Sequence, residues 1–427
     1  MNFVDIIFWL SLACVAYVYI GYPLLLFMWS RLRPAPPQRR PFTGSFTIVM
    51  SAHNEESAIS RRLEGLGRLI RESGLSGEIV LVSDGSTDAT APMAQESTVS
   101  GLVRVLELRE NVGKAAALTL ACESIPSDVI VFADVRQTWA DDALVKLLEN
   151  FADPRVGAVS GDLILQSADG VLAGVGVYWR FEKWLRKTES LIWSQVGVTG
   201  AISAVRRALF QPIPQGTMLD DVYWPLQVAM QGYRVIHDER AIAYDRLPDR
   251  PRDEFRRKVR TLSGNYQLAW LLPGSLLPWR NPVWLAWVSH KLLRLVVPWA
   301  LLAMLAISGW RAGGVSPLIS APGLESLHAP SGGLRPPLAQ IFAICQLAGY
   351  TIALLGLIPP VARRFRLAAA AGSFLVLNAA AGLAFGVAIT GRASKSWHKI
   401  SYNSLRGTLP VGPAAGLSVG SGYAERP

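Results

Sequence analysis

From Phe3 to Trp29 the chain carries an apolar run broken only by Asp5. A hydrocarbon core about 30 Å thick takes roughly 20 such residues in a helix. A cleaved secretory leader is the competing reading. It predicts a basic start, a shorter apolar stretch and a small-residue cleavage site. Here the start is acidic, and Tyr22, Phe27 and Trp29 stand at the far end as in an interfacial belt. The run therefore reads as a retained anchor. Arg31, Arg33, Arg39 and Arg40 come directly after it. Basic residues stay on the cytoplasmic side, which puts the N-terminus outside and the central part of the chain in the cytoplasm.

Acidic residues divide the rest. Residues 1–44 contain only Asp5, and residues 311–427 only Glu325 and Glu425, so nearly all Asp and Glu lie in the middle. Three more spans are expected, at about Val288–Trp310, Leu338–Val361 and Leu367–Thr390, with Arg363, Arg364 and Arg366 in a cytoplasmic turn between the last two. Arg392, Lys395, Lys399 and Arg406 favour the cytoplasm as well. Either one segment stops short of a full span or the tail breaks the rule. The expected organisation is an anchor and basic linker over 1–44 and a soluble domain over 45–250. An amphipathic interface helix region comes next over 251–282, then spans over 283–390, and a basic, then disordered tail over 391–427. The net charge of +10 sits largely beside the spans, so anionic membrane lipid explains it better than nucleic acid. Cys14, Cys122 and Cys345 show neither metal spacing nor a disulfide framework and read as buried thiols.

The middle alternates strand and helix patterns. Strands are expected at Phe46–Met50, Glu78–Val82, Val103–Leu108, Asp128–Ala133 and Gly157–Leu165. Helices are expected at Ser57–Ile70, Ala115–Glu123 and Asp141–Phe151. That order implies an α/β fold with a mostly parallel sheet covered on both faces. Ligands of such sheets lie at the carboxyl ends of the strands. There the sequence places SAHNEES (Ser51–Ser57), SDGSTDAT (Ser83–Thr90) and Asp134. One such group is an ordinary turn; three on one rim point to a site. Further along, Leu219–Gly232 reads as a helix opening on Asp220 and Asp221, with Pro225 taken as a first-turn proline. Arg234–Asp238 and Ala241–Tyr244 read as two short strands, and Phe255–Leu272 as an interface helix.

These stretches, with NVGKAAAL (Asn111–Leu118), FADVRQTW (Phe132–Trp139), NFADPRVGAVSG (Asn150–Gly161), VGVTGAISAVRR (Val196–Arg207) and MLDDVYWPLQVAMQGYRV (Met218–Val235), resemble in order and spacing a membrane-bound family 2 glycosyltransferase of the polysaccharide-synthase kind. The resemblance covers about 200 residues. It implies a Rossmann-like GT-A domain that binds a nucleotide-sugar donor, UDP-linked by expectation, with Mg2+ or Mn2+ as cofactor and inversion at the sugar carbon.

It carries over residue by residue. Ala52, His53, Asn54 and Glu55 would edge the nucleoside pocket. Asp84 resembles the aspartate at the base or ribose, and Lys114 the basic residue near the nucleotide. Asp134 resembles the first carboxylate of an Asp-x-Asp metal motif, and Asp221 the general base. Gly200 and Ala201 resemble the acceptor floor, with Trp179, Glu182 and Asp220 on the acceptor side. Two departures matter. Arg136 stands where the second metal carboxylate is expected, either to grip the leaving pyrophosphate or to pair with Asp141 or Asp142 on the surface. The family's Gln-x-x-Arg-Trp stretch is replaced by Arg257-Lys258-Val259-Arg260-Thr261; Arg260 matches the arginine and can reach the pyrophosphate, while the missing tryptophan argues against long-chain processivity.

The expected activity is transfer of a sugar to a lipid-linked or saccharide acceptor at the cytoplasmic membrane face. The alternative is a catalytically weak nucleotide-sugar-binding subunit of a membrane polysaccharide assembly, invited by Arg136 and opposed by the intact Asp134 and Asp221. Transport as the sole role is disfavoured by the few spans.

Overall fold

In the computed structural model, residues 2–97, 99–166, 173–246, 251–312, 334 and 336–390 are described. The tail expected to be disordered, from 391 onward, and its basic residues lie outside them. Among the described residues, four helices are long and apolar enough to cross a membrane: α1 (Phe3–Leu32), α8 (Trp284–Arg311), α9 (Pro336–Leu355) and α10 (Arg366–Ile389). Two of them widen locally into π turns, Tyr17–Gly21 in α1 and Trp287–Leu292 in α8. In α1 the wide turn directly precedes Pro23, whose missing N–H and ring disturb the ordinary ladder. α1 and α8 pack against each other. Their outer ends are joined by the buried pair Asp5–Arg311 at 3.0 Å, and Tyr17 Oη lies 2.8 Å from Ser289 Oγ nearer the soluble domain. Cys345, expected to be buried, is exposed on α9; an apolar face turned to lipid has no need to be covered by protein.

The soluble domain is built on an eight-stranded sheet in the order β3-β2-β1-β4-β7-β6-β8-β5. The strands are β1 (Phe46–Ala52), β2 (Gly77–Asp84), β3 (Val103–Leu108), β4 (Val129–Ala133), β5 (Thr138–Trp139), β6 (Val156–Gln166), β7 (Ile202–Arg206) and β8 (Arg234–Arg246). β3, β2, β1 and β4 run parallel, as their crossover helices require. Beyond β4 the sheet turns mixed: β7 is antiparallel to β4 and to β6, β8 is parallel to β6, and β5 is antiparallel to β8. The parallel expectation thus holds for the half that carries the strand-end motifs. The antiparallel β7 comes from ISAVR, five residues with no long crossover to announce them.

The helices of the domain named below are α2 (Ile59–Ser73), α3 (Lys114–Glu123), α4 (Ala143–Leu148), α5 (Ala173–Ile192), α6 (Asp220–Met230) and α7 (Pro251–Leu271); a further short helix spans Thr90–Gln95. Side chains of a strand alternate between faces, and β1 shows it. Ile48 and Met50 join Leu63, Leu66, Val131 and Leu144 in one core. Val49 joins Leu118, Phe132, Trp224 and Leu226 in the other. Two expectations are corrected here. Arg234–Asp238 and Ala241–Tyr244 belong to one strand, β8, whose register against β6 shifts between Ser160 and Asp162; the irregularity interrupts the alternation that would reveal a single strand. Pro225 lies inside α6, in its second turn rather than its first.

The turn after β2 shows how tightly the site rim is made. Gly85 has φ +60°, and a Cβ there would lie 2.4 Å from the backbone nitrogen of Asn111. The left-handed conformation alone costs a non-glycine residue about 1–2 kcal/mol, and the overlap adds to it. Gly85→Ala is expected to lower the thermal stability of the full chain, read as a fall in the midpoint of its melting curve.

Candidate active site

The first two strand-end loops hold each other. Asn54, in the left-handed region at φ 55°, accepts from Thr87 N at 2.8 Å through Oδ1, and its own N–H donates to Ser86 Oγ at 3.2 Å. Glu55 N donates to Thr90 Oγ1 at 2.8 Å, and Ala89 N to Glu56 Oε2 at 3.0 Å. His53 Nδ1 lies 2.7 Å from the Asp84 carbonyl, and Ala52 is buried at the end of β1. Much of the polarity of these motifs is therefore spent on loop-to-loop hydrogen bonds, which fix the rim.

The resemblance puts Asp84 at the base or ribose. Its carboxylate accepts Val112 N at 2.7 Å and Gly113 N at 3.0 Å, and the residue is 2 % exposed. Each oxygen accepts one backbone N–H, so Asp84 positions the loop that leads into α3. Gly113, at φ +89°, turns that loop so that Lys114 opens the helix.

Lys114 is the hub. Its Nζ lies 2.7 Å from Asp134 Oδ1, at the end of β4, and 3.6 Å from Asp220 Oδ2, at the start of α6. Burial would lower the lysine's pKa, but Asp134 and Asp220 outweigh it and hold the ammonium above its ordinary value. A Cβ on Gly200 would stand 3.4 Å from Lys114 Nζ and 3.6 Å from Asp134 Oδ2, so this glycine forms the wall beside the ion pair. Ala201 is fastened through its carbonyl, which accepts from Trp139 Nε1 at 2.9 Å. Arg62 supports Asp134 from behind, donating to its carbonyl at 3.0 Å and stacking over Trp139. Sequence reasoning passed over Arg62; a cation inside the otherwise apolar stripe of α2 was the signal.

Asp221 neighbours this group. Burial first, and the charge of Asp220 second, push its carboxyl up to about 6, against the pull of Lys114, Arg186 and Arg260. Its carbonyl accepts from Val198 N at 2.8 Å. That bond exists because of Pro225. A helix would spend the carbonyl of residue 221 on the N–H of residue 225, and proline has none. The misplaced proline thus frees the backbone of Asp221 to hold the loop over 196–201 against α6.

Arg136 is exposed on the bend after Asp134. Of its two suggested surface partners, Asp141 is engaged by Arg68 at 3.0 Å. Glu182, expected on the acceptor side, is 4 % exposed and ion-paired to Lys291 at 2.8 Å, Arg294 at 2.7 Å and Arg186 at 3.4 Å. Burial would raise its pKa, but His290, Lys291 and Arg294 hold it well below the usual carboxylate value. It is a joint between domain and spans, with no oxygen to spare for an acceptor. Trp179 donates through Nε1 to the Leu163 carbonyl at 3.2 Å and lies under Arg186.

Among the described residues no three His, Cys, Asp or Glu side chains gather as a metal-ligand set. One carboxylate is nonetheless sufficient for Mg2+ when phosphates and water complete the shell. Asp134 has one oxygen on Lys114, and its side chain is 30 % exposed. The donor set therefore fits a cation shared with a bound diphosphate and does not fit one caged by protein alone.

Residues 47–213 match the family model described as Glycosyl transferase family 2. Poly-beta-1,6-N-acetyl-D-glucosamine synthase from Staphylococcus aureus is 22% identical over 228 residues, which cover 52% of this chain and 55% of that protein. The Staphylococcus epidermidis protein of the same name is 19% identical over 228 residues, with the same shares covered. The chain spans about half the length of the curated relatives it matches. A solved mannosyltransferase from Pyrobaculum calidifontis, in complex with GDP-Man and Mn2+, aligns with a TM-score of 0.65 at 22% identity, over 91% of this chain and 99% of that one. That likeness is one of fold.

A base must be ionised to act, so activity that depends on the Asp221 carboxylate rises with pH through about 6. Removing the neighbouring negative charge with Asp220→Asn eases ionisation. The acidic limb of the kcat/KM profile is expected to move to lower pH in that variant.

Proposed function

We propose that this family 2 glycosyltransferase moves a sugar from a nucleoside-diphosphate donor to an acceptor hydroxyl at the cytoplasmic face of the membrane, with inversion at the sugar carbon. One observation carries the reading: a single ammonium, Lys114, holds Asp134 and Asp220 together with Asp221 beside them. The leaving-group side and the attacking side of a displacement are thereby within one cleft at the carboxyl end of β4, where open α/β sheets bind ligands.

The acceptor oxygen attacks the anomeric carbon while its proton passes to the Asp221 carboxylate. The bond from that carbon to the diphosphate breaks, and its electron pair leaves on the diphosphate oxygen. Lys114, Arg136 and Arg260 supply positive charge toward that oxygen, Arg136 as a two-pronged donor. A bound Mg2+ or Mn2+, held by Asp134, would neutralise further charge on the diphosphate. Ala52 to Glu55 edge the nucleoside, and Gly200 and Ala201 leave room for the acceptor. A UDP-linked donor is our expectation. The Pyrobaculum calidifontis mannosyltransferase, solved with GDP-Man and Mn2+, and the polymer-forming relatives are consistent with nucleotide-sugar chemistry in this fold. The cytoplasmic side rests on Arg31, Arg33, Arg39 and Arg40 after α1 and on Arg363, Arg364 and Arg366 between α9 and α10.

Transfer by the purified full chain in detergent, with nucleotide sugars and a membrane lipid extract, tests the reading. Asp221→Asn is expected to lose about 10²–10⁴-fold in turnover with donor affinity kept. Donor binding without turnover in the wild type would instead identify a binding subunit. Arg136→Asn is expected to weaken the donor about tenfold or more, the worth of a charge-assisted hydrogen bond; unchanged affinity and turnover would make Arg136 a bystander. Chelation of divalent cations is expected to slow transfer, and added Mn2+ or Mg2+ to restore it.

A further inference from the structure

Two backbone carbonyls stand where the ladder between β4 and β7 stops at the cleft. The strands pair antiparallel, and their last register pair is Ala133 with Ile202. One residue beyond that pair stand Asp134 on one strand and Ala201 on the other. Side chains take over from the ladder there. Arg62 Nε donates to the Asp134 carbonyl at 3.0 Å, and Trp139 Nε1 donates to the Ala201 carbonyl at 2.9 Å. The two side chains also meet each other, with the Arg62 guanidinium 5.0 Å from the centre of the Trp139 ring. A strut thus runs from Asp134 through Arg62 and Trp139 to Ala201. Its members come from α2 and β5, two elements outside the ladder they extend.

Packing alone would not select these groups. Arg62 and Trp139 are each 6 % exposed, and Trp139 shares an apolar core with Ala133, Val135 and Ala201. Arg62 Nη2 is buried with no hydrogen-bond partner among the described residues. A buried cation is costly, and an apolar side chain of similar volume is often at least as stable in its place. What Arg62 gains in return is one carbonyl and one ring face. Both belong to the strut. The loop before Ala201 is held separately at its other end. Val198 N donates to the Asp221 carbonyl at 2.8 Å, and Thr199 N to Ser160 Oγ at 3.1 Å. Gly200, the wall beside Lys114 and Asp134, lies between those two bonds and the one made by Trp139. The base fixes one end of this loop and the strut fixes the other.

We infer that Arg62 and Trp139 are positioning residues that hold the Gly200–Ala201 floor at a set distance from Asp134, and so direct the sugar to its acceptor rather than to water. This rests on the transferase reading and adds to it a control over which oxygen attacks. In the competing reaction a water oxygen bonds to the anomeric carbon and gives one proton to the Asp221 carboxylate. The bond to the diphosphate breaks, with its electron pair on the diphosphate oxygen, and the free sugar is released. Water is small and needs no floor. A bulky acceptor is aligned by the floor, and a misplacement of about 1 Å costs about 10²-fold in rate. Loss of the strut therefore lowers transfer far more than hydrolysis.

The test uses the full chain in detergent with a membrane lipid extract and radiolabelled UDP-glucose, UDP-galactose and GDP-mannose, each in turn. Label on extracted lipid or polymer counts transfer, and free labelled sugar counts hydrolysis. Trp139→Phe keeps a ring under Arg62 and removes the N–H. It is expected to lower the ratio of transfer to hydrolysis about tenfold or more while the donor KM stays within about threefold. Arg62→Met is expected to lower the ratio likewise without lowering the melting midpoint, and Arg62→Lys, which keeps a donor for the Asp134 carbonyl, to restore most of it. If Arg62→Met fails to fold, Trp139→Phe decides. Hydrogen exchange reads the strut with no substrate present: amides of 196–203 are expected to exchange about tenfold faster in Trp139→Phe. Unchanged exchange, an unchanged ratio, or an equal loss of both products overturns the inference. Turnover that still depends on Asp221 alongside such results leaves the transferase reading standing and removes only the strut. Loss of that dependence removes the transferase reading and the strut's role with it.

Discussion

Everything at the site depends on where one ammonium is held. Lys114 sits between carboxylates contributed by two elements far apart in the chain, Asp134 after β4 and Asp220 at the head of α6. A half-buried charge needs partners, and here the partners come from the end of β4 and the head of α6. Lys114 is placed in turn by a backbone device. Asp84 accepts two successive amide protons of the loop before it, and Gly113 supplies the turn that no other residue adopts without strain. The pairing ties the start of α6, and with it Asp221, to the parallel half of the sheet.

A second constraint acts on Asp221 from the other side. Two negative side chains in sequence, one largely buried, would drift apart or take up protons unless fixed. The carbonyl of Asp221, released by Pro225, ties it to Val198, while Lys114, Arg186 and Arg260 temper the mutual repulsion. The result is a carboxyl poised near 6, ionised at neutral pH yet basic enough to accept a proton. Proline, which destabilises most helix interiors, here serves the position of the group four residues before it.

The soluble domain and the spans form one electrostatic unit. Glu182 on α5 gathers His290, Lys291 and Arg294 from α8. Glu189, two turns along, takes His290 and the hydroxyl of Tyr22 on α1. Buried Arg234 donates to the carbonyls of Trp193, Ser190 and Ala35, fastening the linker after α1 to the sheet. These bonds fasten the sheet domain to α1 and α8.

Much of this was legible in the residues. Apolar runs too long for a soluble core announce the spans because hydrocarbon thickness sets their length. Alternating strand and helix patterns announce the parallel half of the sheet, and Asp134, Lys114, Asp220 and Asp221 stand out at strand and helix ends. What was not legible is how polar groups are shared out. Asp84 accepts from the backbone of the loop before α3, Glu182 joins α5 to α8, and Lys114 bridges Asp134 and Asp220, none of which the local sequence spells out. β7 and the long β8 were also hidden, since short antiparallel strands and bulged registers leave weak periodicity. Local sequence determines which elements form, because propensity and hydrophobic period act over a few residues. Which carboxylate faces the cleft and which is consumed by a neighbour is decided only when distant segments meet, because burial of a charge selects its partner from whatever the fold brings within reach.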